Sequence, residues 1–207
     1  MKKAIPAIMK PLVLSFVALA VLTLSQSSAL ADPVTFQLTG STGATYHGHD
    51  IGPLTGLLNG TSITTICIDA DHTVNYGESW PVIVRTFSDL NASVLSKYQQ
   101  AAFLSMQFAS NPQAAWGDIQ FAAWRIFSTN PDFVTPGSTF WLNLAMSQDF
   151  SNFDFSAFRI LTPTGPNGQE MMTTVPEPAT MVLLGTGLAG LAASARKRRK
   201  ARKEAAS

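Results

Sequence analysis

The chain has 207 residues, 14 Lys and Arg against 13 Asp and Glu, a formal charge of +1 and one cysteine. A single cysteine excludes a disulfide within the chain, so any covalent staple must be of another kind. The cations are concentrated at the two ends. Between them only Arg85, Lys97, Arg125 and Arg159 remain, while nearly all the acids stay, so the body is acidic and no nucleic acid is expected as a partner.

The first residues read as an export signal. Lys2, Lys3 and Lys10 form a charged start, 12–24 is apolar, and Ala29-Leu30-Ala31 offers a small-x-small cleavage site. A signal peptide over 1–31 is expected, with signal peptidase cutting after Ala31. The exported body that follows, 32–161, is long enough for one domain with a real core.

Val34, Phe36 and Leu38 alternate, which predicts a strand over 34–38. The segment 40–60 is rich in Gly, Thr and Ser, with Gly52-Pro53 as a turn signal. The β-branched run 63–68, carrying Cys67, predicts a second strand. A polar turn over 69–77 leads to a third at 80–87, where Pro81 suits an edge or a strand start. Helical spacing of Val94, Tyr98, Ala101, Ala102, Ser105 and Phe108 then predicts a helix over 92–109. Asn111-Pro112 ends it and opens a second, 113–128, on which Trp116, Gln120 and Trp124 form an i, i+4, i+8 stripe. Pro131 and Pro136-Gly137 mark a looser region before a short apolar patch at 140–146. A closing strand is expected over 153–161 and a Pro/Gly/Thr linker over 162–174. Strands, two helices, then a strand predict an α+β fold: an antiparallel β-sandwich or open barrel with a two-helix insertion.

The tail 175–203 has three parts: Pro176-Glu177-Pro178, the uncharged run 179–195, and a basic cluster over 196–203. As a helix, 179–195 spans about 25 Å, the short limit for crossing a hydrocarbon core. The cations mark its cytoplasmic end, which puts the body across the membrane. This tail resembles the PEP-CTERM sorting signal of bacteria that make exopolysaccharide. The resemblance implies recognition by an exosortase-type transpeptidase, cutting near Pro176-Glu177-Pro178, and release of a membrane-anchored precursor to the surface or matrix.

Within the body, Ile66-Cys67-Ile68 and Ile119-Gln120-Phe121-Ala122-Ala123 stand out. A cysteine between aliphatic strand residues and a glutamine on an apolar helix face resemble the motifs of bacterial surface thioester domains. In that family the cysteine sulfur displaces ammonia from the glutamine amide, and the ester later captures an amine on a target surface. The resemblance implies a Cys67–Gln120 thioester in a dry pocket, with Trp116 and Trp124 as candidate walls. His47, His49 and His72 are the only imidazoles able to help form a thiolate. Cys67 also has a plainer reading as a buried strand residue that packs as a small hydrophobe.

His47, His49, Asp69, Asp71 and His72 invite a metal-binding alternative, although their spacing matches no strong motif and no metal or other cofactor is assigned. No Gly-x-Ser-x-Gly, His-Glu-x-x-His or phosphate loop occurs, so no conventional enzyme and no catalytic residue is expected. The leading expectation is an exported structural or adhesive component of the envelope or matrix, associated with exopolysaccharide or biofilm. The alternatives are a covalent thioester adhesin with surface amines as targets, and an exported metal-binding module.

Overall fold

The structure is a computed structural model and describes residues 32–175. The expected signal peptide with Ala29 and Ala31, the sorting residues Pro176, Glu177 and Pro178, the run 179–195 and the basic cluster lie outside the described residues. Residues 33–175 belong to one compact unit.

Six strands close into an antiparallel barrel. β1 (Val34–Ser41) directs Phe36 and Leu38 inward by strict alternation. A two-residue hairpin, β2 (Thr45–Tyr46) and β3 (His49–Asp50), follows; its loop residues His47 and Gly48 both have positive φ, as a primed turn requires. β4 (Leu54–Leu58) pairs with β1, then turns through Asn59-Gly60, again at positive φ, into β5 (Thr61–Cys67). β6 (Ser79–Arg85) pairs with β1 on its other side. After the helices, β7 (Phe158–Pro163) joins β6, and β8 (Met171–Thr174) closes the ring between β7 and β5.

Three helices separate β6 from β7: α1 (Ala92–Ser110), α2 (Trp116–Arg125) and α3 (Pro136–Met146). α3 starts with a capping box between Thr135 and Ser138, and Pro136 sits in the first turn, where its missing N–H costs nothing.

Two cores result, sharing the β5, β7 and β8 strands. Inside the barrel, Phe36, Leu38, Trp80, Val82, Cys67, Leu161 and Met171 meet Phe121 and Trp124 of α2. On the outer face, Ile66, Ile160 and Met172 pack against Leu104, Ile119, Ala122 and Ala123 of the helices. Thr65, Ile66, Cys67 and Ile68 are therefore all buried, because β5 is covered on both faces.

The observed fold corrects several expectations. The α+β class stands, but the sheet is a closed barrel, neither a sandwich nor an open barrel, and the insertion has three helices instead of two. The expected second helix starts later, at Trp116, after a 3-10 turn over Gln113–Ala115. The closing strand begins at Phe158 and not 153, because Phe150, Phe153 and Phe155 turn into an aromatic cluster with Phe87 and Phe103. The stretch expected as a linker supplies the end of β7 and all of β8, with Met171 and Met172 fully buried.

Candidate functional site

α2 carries Gln120 into a position where an apolar residue would be ordinary. Its neighbours Ile119 and Ala123 face the helix-side core, Phe121 and Trp124 face the barrel, and Gln120 itself is 1% exposed. A buried carboxamide must find partners, and here they come from two distant segments. Gln120 Nε2 donates to the Cys67 carbonyl at 2.7 Å, and Gln120 Oε1 accepts from the Gly52 N–H at 3.3 Å. Trp124 Nε1 donates to the same Cys67 carbonyl at 3.2 Å. The end of β5 is thus fastened to α2 by two side chains one helical turn apart.

Cys67 is buried and free, and its Sγ donates to the Asp69 carbonyl at 2.9 Å. Burial pushes the thiol up to about 12, with the charges of Asp69 and Glu170 adding to the effect. Hydrogen bonding from the Asp69 backbone and the Trp124 indole, which favours the thiolate, opposes it. The resting sulfur is a neutral thiol that needs a proton acceptor before it can act as a nucleophile.

Cys67 is not sealed off. It borders a cavity of about 270 Å³ whose lining includes His49, Asp50, His72, Trp124 and Phe133. His49 stands edge-on to three rings, with centroids 5.4 Å from Trp124, 5.7 Å from Phe133 and 6.1 Å from Phe121. His72 Nδ1 lies 2.8 Å from Asp69 Oδ2. Across the mouth, the Tyr76 hydroxyl donates to Asp50, and burial raises the phenol above its ordinary range.

The two tryptophans expected as walls divide. Trp124 covers Cys67 directly. Trp116 sits on the far side of Gln120: its indole donates to the carbonyls of Phe108 and Asn111, and its ring lies over Gly52. Gly52 has φ +81°, and a Cβ there would fall 2.6 Å from Trp116 Cε3. Only glycine lets the backbone turn under that ring and present its N–H to Gln120.

The five candidate metal ligands do not converge. Among the described residues no three His, Cys, Asp or Glu side chains form a metal-holding group. His47 packs on Tyr46 and Phe121, Asp71 accepts from Ser128 Oγ at 2.8 Å, and Asp69 is bound to His72. The metal-module expectation is therefore set aside.

Sequence reading missed the network that orients α2. Asp118 Oδ1 accepts from Thr135 Oγ1 at 2.5 Å and from the Tyr46 hydroxyl at 3.2 Å. Arg125 Nη1 donates to Ser138 Oγ at 3.0 Å and Thr139 Oγ1 at 2.9 Å. These contacts tie both ends of α2 to α3 and to the β2–β3 hairpin. Acidic and basic residues at the two ends of an otherwise apolar helix were the available signal.

No curated protein and no solved structure matches the chain. The family model described as the PEP-CTERM protein-sorting motif matches residues 174–199, which takes in Pro176, Glu177, Pro178, the apolar run and the first basic residues. The chain carries a PEP-CTERM sorting motif, which makes it an exported protein, held at the membrane until an exosortase processes it.

Proposed function

We propose that this protein is a surface or matrix adhesin that attaches covalently through a Cys67–Gln120 thioester. The observation that carries the reading is the meeting of the two side chains' segments: a buried glutamine carboxamide 2.7 Å from the backbone carbonyl of the only cysteine. Closure requires the Gln120 side chain to leave that carbonyl and bring Cδ to Sγ. The sulfur then adds to Cδ, Nε2 departs as ammonia with the thiol's proton, and an acyl–sulfur bond remains. An amine of a target surface later attacks Cδ, the C–S bond breaks, and the thiol is restored beside a stable amide. One chain makes one bond, so this is single-turnover attachment and not enzymatic turnover. Trp124, Phe121 and Phe133 shield one side of the site, which limits the approach of water to the ester.

The runner-up is a non-covalent structural component of an exopolysaccharide-rich matrix, in which Gln120 merely pins β5 to α2. Its support is that both Gln120 polar atoms already have partners. The intact mass of the full-length chain, purified in mild detergent beside Cys67→Ala, decides between them. A wild type alone lighter than its sequence by one ammonia, with a thiol that labels only after amine treatment, establishes the thioester. The calculated mass, with one ordinary thiol on denaturation, overturns it in favour of the runner-up. Sorting is tested apart: in a host with the exosortase, Glu177→Ala should leave unprocessed chain in the membrane, and equal processing would refute that role for the motif.

A further inference from the structure

We propose that His72, held by Asp69, is the residue that moves the proton between Cys67 and nitrogen when the thioester closes and opens. This rests on the thioester reading above. Three histidines are available, and the fold separates them. His47 packs on Tyr46 and Phe121 and does not line the cavity beside Cys67. His49 lines it, but its side-chain contacts among the described residues are with the rings of Trp124, Phe121 and Phe133. His72 lines it and has a carboxylate on Nδ1 at 2.8 Å. A carboxylate there fixes the tautomer with the proton on Nδ1, which leaves Nε2 as a lone-pair acceptor. Nucleophile, base and orienting group are then Cys67, His72 and Asp69, three members of one six-residue stretch at the end of β5.

The orienting group is itself built in. Asp69 Oδ1 accepts from the Asp71 N–H at 3.0 Å, and Oδ2 faces the Glu170 N–H at 3.4 Å. Gln169 donates to the His72 carbonyl, so the turn is tied to the start of β8. The other ionisable groups around the cavity are His49, Asp50 and Tyr76, while Glu170 is engaged by Tyr98 and Thr162. The His72 side chain is 48% exposed, so it can return its proton to solvent.

In closing, Nε2 accepts the Sγ proton, directly or through one water, sulfur bonds to Cδ, and the proton leaves with Nε2 of Gln120 as ammonia. In opening, an amine adds to Cδ, the C–S bond breaks, and His72 carries the amine's proton to sulfur. General-base assistance of this kind contributes about 10²-fold or more.

The test measures opening by methylamine on the full-length chain, followed by intact mass. His72→Gln should either fail to lose ammonia or open about 10²-fold more slowly, while circular dichroism stays native. His72→Gly should regain part of the rate with added imidazole, which a purely structural loss would not do. Asp69→Asn separates two roles of that carboxylate. If it only burdens the thiol with negative charge, opening and closing should not slow; if it orients His72, both slow. A wild type that never loses ammonia removes the thioester itself. A wild type that closes, with His72→Gln opening at the same rate or with the loss falling on His49→Gln instead, overturns the assignment to His72 alone.

Discussion

Cys67→Ala is the perturbation that most sharply divides a covalent from a non-covalent site. Without a thioester the change removes one buried sulfur from the barrel core. By burial alone that costs about 1 kcal/mol, the scale of a single methylene-sized group. The hydrogen bonds to the Cys67 carbonyl from Gln120 and Trp124 survive, because they reach backbone. With a thioester the same change also cuts a cross-link between positions 53 residues apart. Treated as loop closure in the unfolded chain, a link of that span is worth about 4 kcal/mol. The expected loss is therefore about 5 kcal/mol. Urea unfolding of wild type and variant, with the slopes compared as well as the midpoints, gives the number. The wild-type slope should also be smaller, because a cross-linked unfolded chain exposes less surface. A loss of about 1 kcal/mol with equal slopes would refute the cross-link.

Three further outcomes follow from the geometry around it. Gly52→Ala puts a Cβ against Trp116 at a φ that only glycine adopts freely, and should cost about 2–4 kcal/mol in urea midpoint; a change under about 0.5 would refute the packing argument. Ser138→Ala removes a wholly buried hydroxyl that caps α3 and receives Arg125, and should cost about 1–3 kcal/mol, with Thr139 retaining part of the arginine contact. In Gln120→Leu, where no ester can form, the thiol pushed up to about 12 in the fold ionises more readily once unfolded. Its stabilising contribution is complete below the unfolded thiol range and is lost as pH rises toward about 12. Gln120→Leu should therefore lose stability across that alkaline window relative to the double variant Cys67→Ala/Gln120→Leu, and parallel pH curves would refute it.

Much of the order of elements was legible because each signal was local. Phe36 and Leu38 alternate, α1 keeps its helical period, and both motifs of the site lie in short runs. The failures came where a local signal had a tertiary cause. Gly56 made β4 read as loop, yet a Cβ there would strike Phe36 at 2.4 Å, so the glycine is a strand residue that makes room for a barrel ring. Pro136-Gly137 read as a break, but Pro136 starts α3 and Gly137 admits Asp118, whose Oδ2 would lie 2.0 Å from a Cβ. β8 was hidden because Gly165, Pro166 and Gly168 dominate the stretch before it, and four residues carry little periodicity of their own. Cys67 and Gln120 were found as a pair, and His49, His72 and Asp69 were named as imidazoles or candidate ligands, but the pairing of His72 with Asp69 beside Cys67 was not, since it depends on how the turn after β5 folds.

That last strand also constrains where processing can occur. β8 ends at Thr174, the Val175 N–H donates to the Ala157 carbonyl at 2.8 Å, and the matched sorting motif begins at residue 174. Fold and sorting signal therefore overlap in sequence with no linker between them. A cut before Met171 would remove the strand that bridges Cys67, Ile66 and Thr65 to β7, with two buried methionines worth about 1.5–3 kcal/mol each in burial. It would also strip Cys67 of its register partner Met171. A cut at Pro176-Glu177-Pro178 spares every barrel hydrogen bond. The processed chain should accordingly end at or beyond Val175, as mass spectrometry of the mature C-terminus would read. A chain stopped after Val175 should keep the full-length urea midpoint, and one stopped after Gln169 should lose cooperative unfolding. Retention of that midpoint after Gln169 would mean that β8 does not close the barrel, and with it would fall the reason why the sorting signal starts where the fold ends.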